Sequence, residues 1–350
     1  MAEKLTKYDI ARICGVSHMT VSRVLNKQPY VREAVRREIL EVCRKHNYHP
    51  SILATSLRSK KTRAIGVILG SLGIAFSANL LRHIEERCIA CGYHIFILQG
   101  GGKGSRKFLE WPQMQVLLAR QIDGLIIGAE MDPAVVGKLE ETVIPTVFID
   151  KPDQECRFPF VGTDDVGGAR TMTEFLVDAG HRTIAFCAGQ RGDYTSDSRI
   201  AGYRAALKTR NIPFRSGLVV HTRGGEPGGY SGFQHLVPGK APCTAIFTAN
   251  DYIAVGILSA AHRRGIRVPG DLSVAGFTGD PVGAFVIPPL TTMEQPVQKL
   301  AVAAVELLFR RMQNPAAPTE RILLPARLLK RESVAAPPAD VLRRTKQATS

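Results

Sequence analysis

His18, Met19, Ser22 and Arg23 share one side of a short helical stretch, and Val21, Val24 and Leu25 share the other. An imidazole can donate or accept a hydrogen bond, and a thioether presents a soft apolar surface. A hydroxyl and a guanidinium supply donors. Polar groups at the N-terminal end of a helix with an apolar back are what a helix entering the DNA major groove requires. The spacing predicts how that helix is held. Ser17 caps it. A first helix precedes it, with Thr6 as cap, Asp9 completing a near capping box, and Ile10 and Ala11 as its apolar face. Gly15 supplies the positive φ of a sharp inter-helix turn.

A third helix is expected from about Arg32 to His46, with Val35, Ile39, Val42 and Cys43 inward. The charge agrees with a nucleic-acid partner. Residues 1–63 hold 14 Lys/Arg against 5 Asp/Glu, while residues 64–334 hold 29 against 25. A basic head therefore precedes a nearly balanced body, and such a head can neutralise phosphates and release counterions.

From Ala64 short apolar runs alternate with amphipathic stretches. Strands are expected at Ile65–Leu69, His94–Leu98, Gly124–Ile127, Thr146–Ile149, Thr183–Cys187, Leu218–Val220, Ala245–Thr248 and Ser273–Gly276. Helices are expected at Asn79–Cys91, Ala169–Ala179, Ile200–Lys208 and Tyr252–Arg263. This alternation predicts parallel sheets covered on both faces. So many strands favour two similar α/β lobes. The glycines at Gly100–Gly104 and Gly224–Gly232 read as loops, and Ala335–Ser350 as a fraying tail.

The chain resembles the lactose-repressor (LacI/GalR-type) family of bacterial transcription regulators from about Thr6 to Val334. The most specific residues are Asp9-Ile-Ala, Gly15-Val-Ser, Thr20-Val-Ser-Arg-Val-Leu-Asn26 and Tyr48-His-Pro50. Further matches are Gln121-Ile-Asp-Gly124, Arg199-Ile-Ala-Gly-Tyr203, Ala249-Asn-Asp251, Gly276-Phe277 and Pro288-Pro-Leu-Thr-Thr292. The resemblance implies an all-α helix-turn-helix head over residues 1–48 and a hinge helix with linker over 49–63. It further implies a two-lobed, periplasmic-binding-protein-like α/β core over 64–334. Lobe one would hold 64–161 and 293–324, and lobe two 162–292 and 325–334, with a disordered tail at 335–350. It implies a homodimer on a near-palindromic double-stranded DNA operator, with a small-molecule effector, sugar or sugar-like, between the lobes.

By the same resemblance His18 and Met19 match the positions that read base edges. Ser17, Thr20, Ser22, Arg23 and Asn26 hold phosphates, with Tyr8, Tyr30 and Tyr48 assisting. Tyr48 could equally pack in the core. Ala54 and Leu57 match a hinge helix whose leucine wedges open a central base step in the minor groove. Ser51, Thr55 and Arg32 depart from common family residues. In the cleft Arg199 matches an arginine that clamps ligand hydroxyls or carboxylates, and Phe76, Asp164, Asn250 and Thr278 join it. Thr278-Gly279 stands where the family usually has an aspartate. That substitution leaves Arg199 with less negative charge nearby and favours an acidic, uronate-like effector.

Other functions find little support. Cys88 and Cys91 lie within an expected helix without a second ligand pair. Gly100–Ser105 lacks phosphate-loop spacing, and the histidines lack metal-ligand spacing. No cofactor, metal, membrane partner or catalytic residue is expected. No apolar run reaches membrane-spanning length, and the N-terminus lacks an export pattern, so a bacterial cytoplasmic, nucleoid-associated protein is expected. The reading is a repressor whose operator affinity answers to an effector through lobe closure. An activator or dual regulator of the same fold is the alternative, and a solute-binding protein or enzyme is the remaining class.

Overall fold

The computed structural model describes residues 5–25, 28–48, 61–100, 109–153, 155, 157–237 and 243–337. Asn26, the hinge segment with Ala54 and Leu57, and the glycine run after Gly100 lie outside the described residues. The chain divides into two units, Met1–Arg63 and Ala64–Ser350.

The first unit holds α1 (Lys7–Ile13), α2 (His18–Leu25) and α3 (Glu33–Lys45). Thr6 and Asp9 form a full capping box at α1: the Thr6 backbone N–H donates to Asp9 Oδ2 at 2.9 Å, and Asp9 N–H donates to Thr6 Oγ1 at 3.4 Å. Gly15 turns the chain at φ 61°. Thr20 N–H then donates to Ser17 Oγ at 3.1 Å, which starts α2. Ile10, Val21, Val24 and Ile39 are buried at the centre of the three helices. Arg32 stands at the N-cap of α3 without a side-chain cap bond, as its departure from the usual Ser/Thr cap suggested.

The second unit contains two six-stranded sheets. Sheet one comprises β1 (Ala64–Leu69), β2 (His94–Gln99), β3 (Gly124–Gly128), β4 (Thr146–Ile149), β5 (Phe160–Thr163) and β11 (Arg321–Leu324). Sheet two comprises β6 (Ile184–Ala188), β7 (Val219–His221), β8 (Ala245–Thr248), β9 (Ser273–Thr278), β10 (Thr291–Glu294) and β12 (Arg327–Leu329). The orders are β11-β5-β4-β3-β1-β2 and β12-β10-β9-β8-β6-β7. Each sheet is thus a 2-1-3-4-5 doubly wound set with one late strand added. β11 pairs in parallel with β5, and β12 antiparallel with β10.

Sheet one is flanked by α4 (Ala75–Ala90), α5 (Trp111–Leu118), α6 (Pro133–Glu140) and α11 (Val297–Gln313). Sheet two is flanked by α7 (Asp165–Asp178), α8 (Tyr194–Thr209), α9 (Gly225–Leu236) and α10 (Asp251–Arg263). The inner strands are apolar on both faces because helices cover both. The chain passes between the sheets after β5, β10 and β11. β5 runs to Thr163 and β10 to Glu294, so the first two passages fall slightly later than expected.

Several sequence expectations need correction. Residues Gly224–Gly232, read as a loop, mostly form the start of α9. Their glycines serve close helix packing: a Cβ at Gly229 would strike the Ile253 carbonyl, and one at Gly256 would strike that of Glu226. Strands β5, β10, β11 and β12 and helices α5, α6 and α11 were not anticipated. The expected tail is pinned at its start. His181 is fully buried, its Nδ1 2.9 Å from Thr244 Oγ1 and its Nε2 2.9 Å from the Ala335 carbonyl oxygen. Ala335 N–H also donates to Ser273 Oγ at 3.1 Å.

Candidate DNA-reading surface and effector cleft

On the head, Ser17, His18, Met19 and Arg23 are exposed, while Thr20 and Ser22 are half-buried. Thr20 Oγ1 lies 2.9 Å from Ser17 Oγ, so the cap extends into a hydroxyl pair. The Tyr8 and His18 rings lie 5.1 Å apart, tilted by 41°. Lys7 Nζ sits 5.3 Å from the centre of the Tyr8 ring. One edge of the head therefore collects an ammonium, a phenol and an imidazole. Tyr30 stands at φ 75° with 96% of its surface open, an unusual conformation and exposure for a large aromatic. Tyr48 is half-buried against the helical core, and burial pushes its hydroxyl pKa up. The packing alternative therefore describes Tyr48 better than a freely exposed contact does.

The second site lies in the core. Both sheets present the carboxyl ends of their strands to one cleft of about 360 Å³, where doubly wound folds bind ligands. Phe76, Arg199, Asn250 and Thr278 all line it. Asp164 is not among its lining residues. It caps α7 instead, accepting from Gly167 N–H at 2.8 Å, because it directly precedes that helix.

α8 begins at Tyr194, earlier than the expected Ile200, so Arg199 sits in its second turn. It is only 4% exposed. Its Nε donates to Asp165 Oδ1 at 2.8 Å, and a terminal nitrogen lies 2.7 Å from the same oxygen. Another terminal nitrogen donates to the Ala249 carbonyl, and the guanidinium lies 3.8 Å from the Phe277 ring centre. Two of its N–H bonds remain uncommitted. Asn250 accepts from Ile253 N–H at 2.9 Å through Oδ1, which caps α10 and leaves its amide donors available. Asp251, the first residue of α10, is buried and accepts from Asp280 N–H at 2.7 Å and from Thr292 Oγ1 at 2.5 Å.

Thr278 holds φ 134°, a strained value for a residue with a Cβ, and its Oγ1 is buried beside the Asp251 carboxylate.

Acidic residues missed in the sequence complete the site. Asp150 follows β4 at φ 65°, and Asp193, Glu226 and Asp280 line the cleft with it. Burial, reinforced by the charge of Asp165, lifts the Asp150 carboxyl to about 6. Burial lifts Asp251 to about 6 as well. Lys151 Nζ meets Asp193 Oδ1 at 2.5 Å and Glu130 Oε1 at 3.0 Å. Burial works against the Asp193 carboxylate, but Lys151 prevails and holds its pKa below the ordinary range. Asp165 already neutralises Arg199, and acids outnumber bases along the cleft. The expectation of an acidic effector therefore loses its basis. Asp150 follows β4, Asp193 caps α8 and Glu226 lies in the first turn of α9, so their meeting at one cleft depends on separate elements brought together by the fold.

Residues 6–51 match the model of the bacterial regulatory proteins of the lacI family. Residues 173–334 match a periplasmic binding protein-like domain. The ribose operon repressor of Haemophilus influenzae is 31% identical over 94% of this chain and 98% of its own length. The chain belongs to the LacI family. It is a DNA-binding transcription regulator with an effector-binding core. Among solved LacI-family structures, the lac repressor dimer bound to operator and the anti-inducer ONPF is 30% identical, with a TM-score of 0.84. That match covers 95% of this chain and 100% of the other. A LacI family regulator from Enterococcus faecium with bound ribose is 26% identical over 78% of this chain and 99% of its own, with a TM-score of 0.69. Among the described residues no helix is long and apolar enough to cross a membrane, and no group of three His, Cys, Asp or Glu could hold a metal.

Proposed function

We propose that this protein is a repressor that binds a near-palindromic operator as a homodimer and senses a small neutral sugar between its lobes. The observation that carries the reading is the cleft itself. Phe76 and Asp150 reach it from one lobe, and Arg199, Asn250, Thr278 and Asp280 from the other. A sugar presents hydroxyls that both donate and accept. Asp150 and Asp280 would accept from them, while the Asn250 amide and the remaining Arg199 N–H groups would donate. Phe76 would cover the apolar face of the ring. The ribose-bound neighbour and the ribose operon repressor make D-ribose the first sugar to test.

In the head His18 and Met19 would read base edges, while Ser17, Thr20, Ser22, Arg23 and Asn26 position the phosphates. Residues 49–63, with Ala54 and Leu57, would form the hinge, and 64–334 the sensing and dimerising core. The place of action would be the bacterial cytoplasm at the nucleoid, and the role regulation rather than catalysis. A sugar touching both lobes favours one degree of closure and shifts operator affinity by its differential affinity for the two states. The test is fluorescence anisotropy on operator fragments selected from the genome, at fixed salt, with and without D-ribose, D-glucose and D-galactose. We expect at least one sugar to change operator affinity tenfold or more. Operator binding that ignores all three would refute the coupling.

A further inference from the structure

A second cavity of about 660 Å³ opens beside the effector cleft, again lined from both lobes. The two share one lining residue, Lys151. Neighbouring residues separate cleanly around it. Asp150, Thr195 and Arg199 line the inner chamber, whereas Pro152, Tyr194 and Ser198 line the outer one. The wall between them is the ion triad in which Lys151 bridges Glu130 of its own lobe and Asp193 at the N-cap of α8. Its Lys151 and Asp193 side chains are 24% and 19% exposed.

We propose that Lys151 sets effector size: its ion pairs close the inner chamber behind one sugar ring and keep a second ring or aglycone out of the outer chamber. This rests on the neutral-sugar reading above. The inner volume is near the lower end of the roughly 300–1,000 Å³ that ligand pockets span, whereas the joined chambers would reach its upper end. The outer chamber is built to receive a ring once the wall is gone. Tyr194, Met131 and Val136 offer an apolar face, and Asp197 and Ser198 offer hydrogen-bonding groups. The wall resists displacement. Burial works against the Lys151 ammonium, yet Asp193 and Glu130 raise its pKa above the ordinary lysine value, so it stays charged. An intruding ring would have to separate a partly buried ion pair.

The test is isothermal titration of the full-length protein with D-ribose, D-glucose and D-galactose, each beside its 4-nitrophenyl α- and β-glycosides. The wild type should bind at least one free sugar ten times or more tighter than either glycoside. Lys151→Ala should shrink that ratio at least tenfold by admitting a glycoside, and Lys151→Arg should restore it. The double variant Lys151→Ala, Asp193→Asn keeps the α8 cap and removes the carboxylate left unpaired, and it replaces the single variant should that fail to fold. Wild-type protein that binds a glycoside as well as the free sugar overturns the proposal. So does a folded variant that keeps the wild-type ratio or loses all binding. Wild-type protein that binds none of these compounds overturns the neutral-sugar reading itself, and the size filter with it.

Discussion

On the head, His18, Met19 and Arg23 stand on one two-turn helix and face solvent, with the Tyr8 ring beside His18. In the cleft, Arg199 and Asn250 come from separate helices, and both are already engaged by Asp165, the Ala249 carbonyl and the Ile253 amide. A surface that must meet a long charged polymer can leave its side chains in water until contact, because the partner supplies the desolvation and the counter-charges. A side chain held inside the core cannot. Arg199, 4% exposed, is withdrawn from water before any ligand arrives, so its charge must be held by the protein. Substitutions in the cleft should therefore cost folding stability, and those on the head should cost only recognition.

Arg199→Ala makes the widest separation. It leaves Asp165, 3% exposed, without its cation, and breaking a buried pair costs about 3–5 kcal/mol. Urea denaturation at pH 7 should register that loss. A loss below about 1 kcal/mol would place Arg199 with the uncommitted side chains of the head and break the contrast.

The pH dependence sharpens the same point. Burial lowers the His181 pKa from 6.5 to about 4. The unfolded chain therefore binds the proton first as the solution acidifies. Stability from this group is intact above about 6.5 and falls progressively toward pH 4, by about 3 kcal/mol in total at 1.36 kcal/mol per pKa unit. Asp150 and Asp251, raised to about 6, act with the opposite sign, since protonation favours their folded state. The measurement is thus the difference between wild type and His181→Gln in denaturation midpoints at pH 7 and pH 5. Equal midpoint shifts in both proteins would remove His181 from the account.

The smallest folding effect belongs to the head. Exchanging both His18 and Met19 should alter the preferred operator half-site by about 1–3 kcal/mol per affected base pair. Folding stability should move by no more than about 0.5 kcal/mol, because Met19 is 56% exposed and His18 is exposed. Selection of binding sites from random DNA, paired with thermal melting, reads both quantities. An unchanged half-site would remove these two residues from base recognition.

The head was legible because its instructions are local. A cap, a glycine turn and a helical stripe act within a few residues of one another, and Thr6, Asp9, Gly15 and Ser17 perform as their types and spacing require. The alternation of apolar runs also announced parallel sheets, since buried strands must be apolar on both faces. The late strands β11 and β12 escaped notice because they join the edges of sheets formed much earlier in the chain and carry exposed residues, so they lack the continuous apolar run of an inner strand. The α9 glycines misled because a glycine's sequence context does not tell a turn from a helix that lies against another backbone. Capping and hydrophobic period act over short range, so the order of residue types is enough to specify a helix-turn-helix head and a core of parallel α/β lobes. That Asp165 neutralises Arg199 and that Lys151 stands between two chambers emerges only from the folded packing. The Asp165–Arg199 pair needs two helices packed side by side on one sheet, and the place of Lys151 needs both sheets facing each other, so neither can be read from neighbours in the chain.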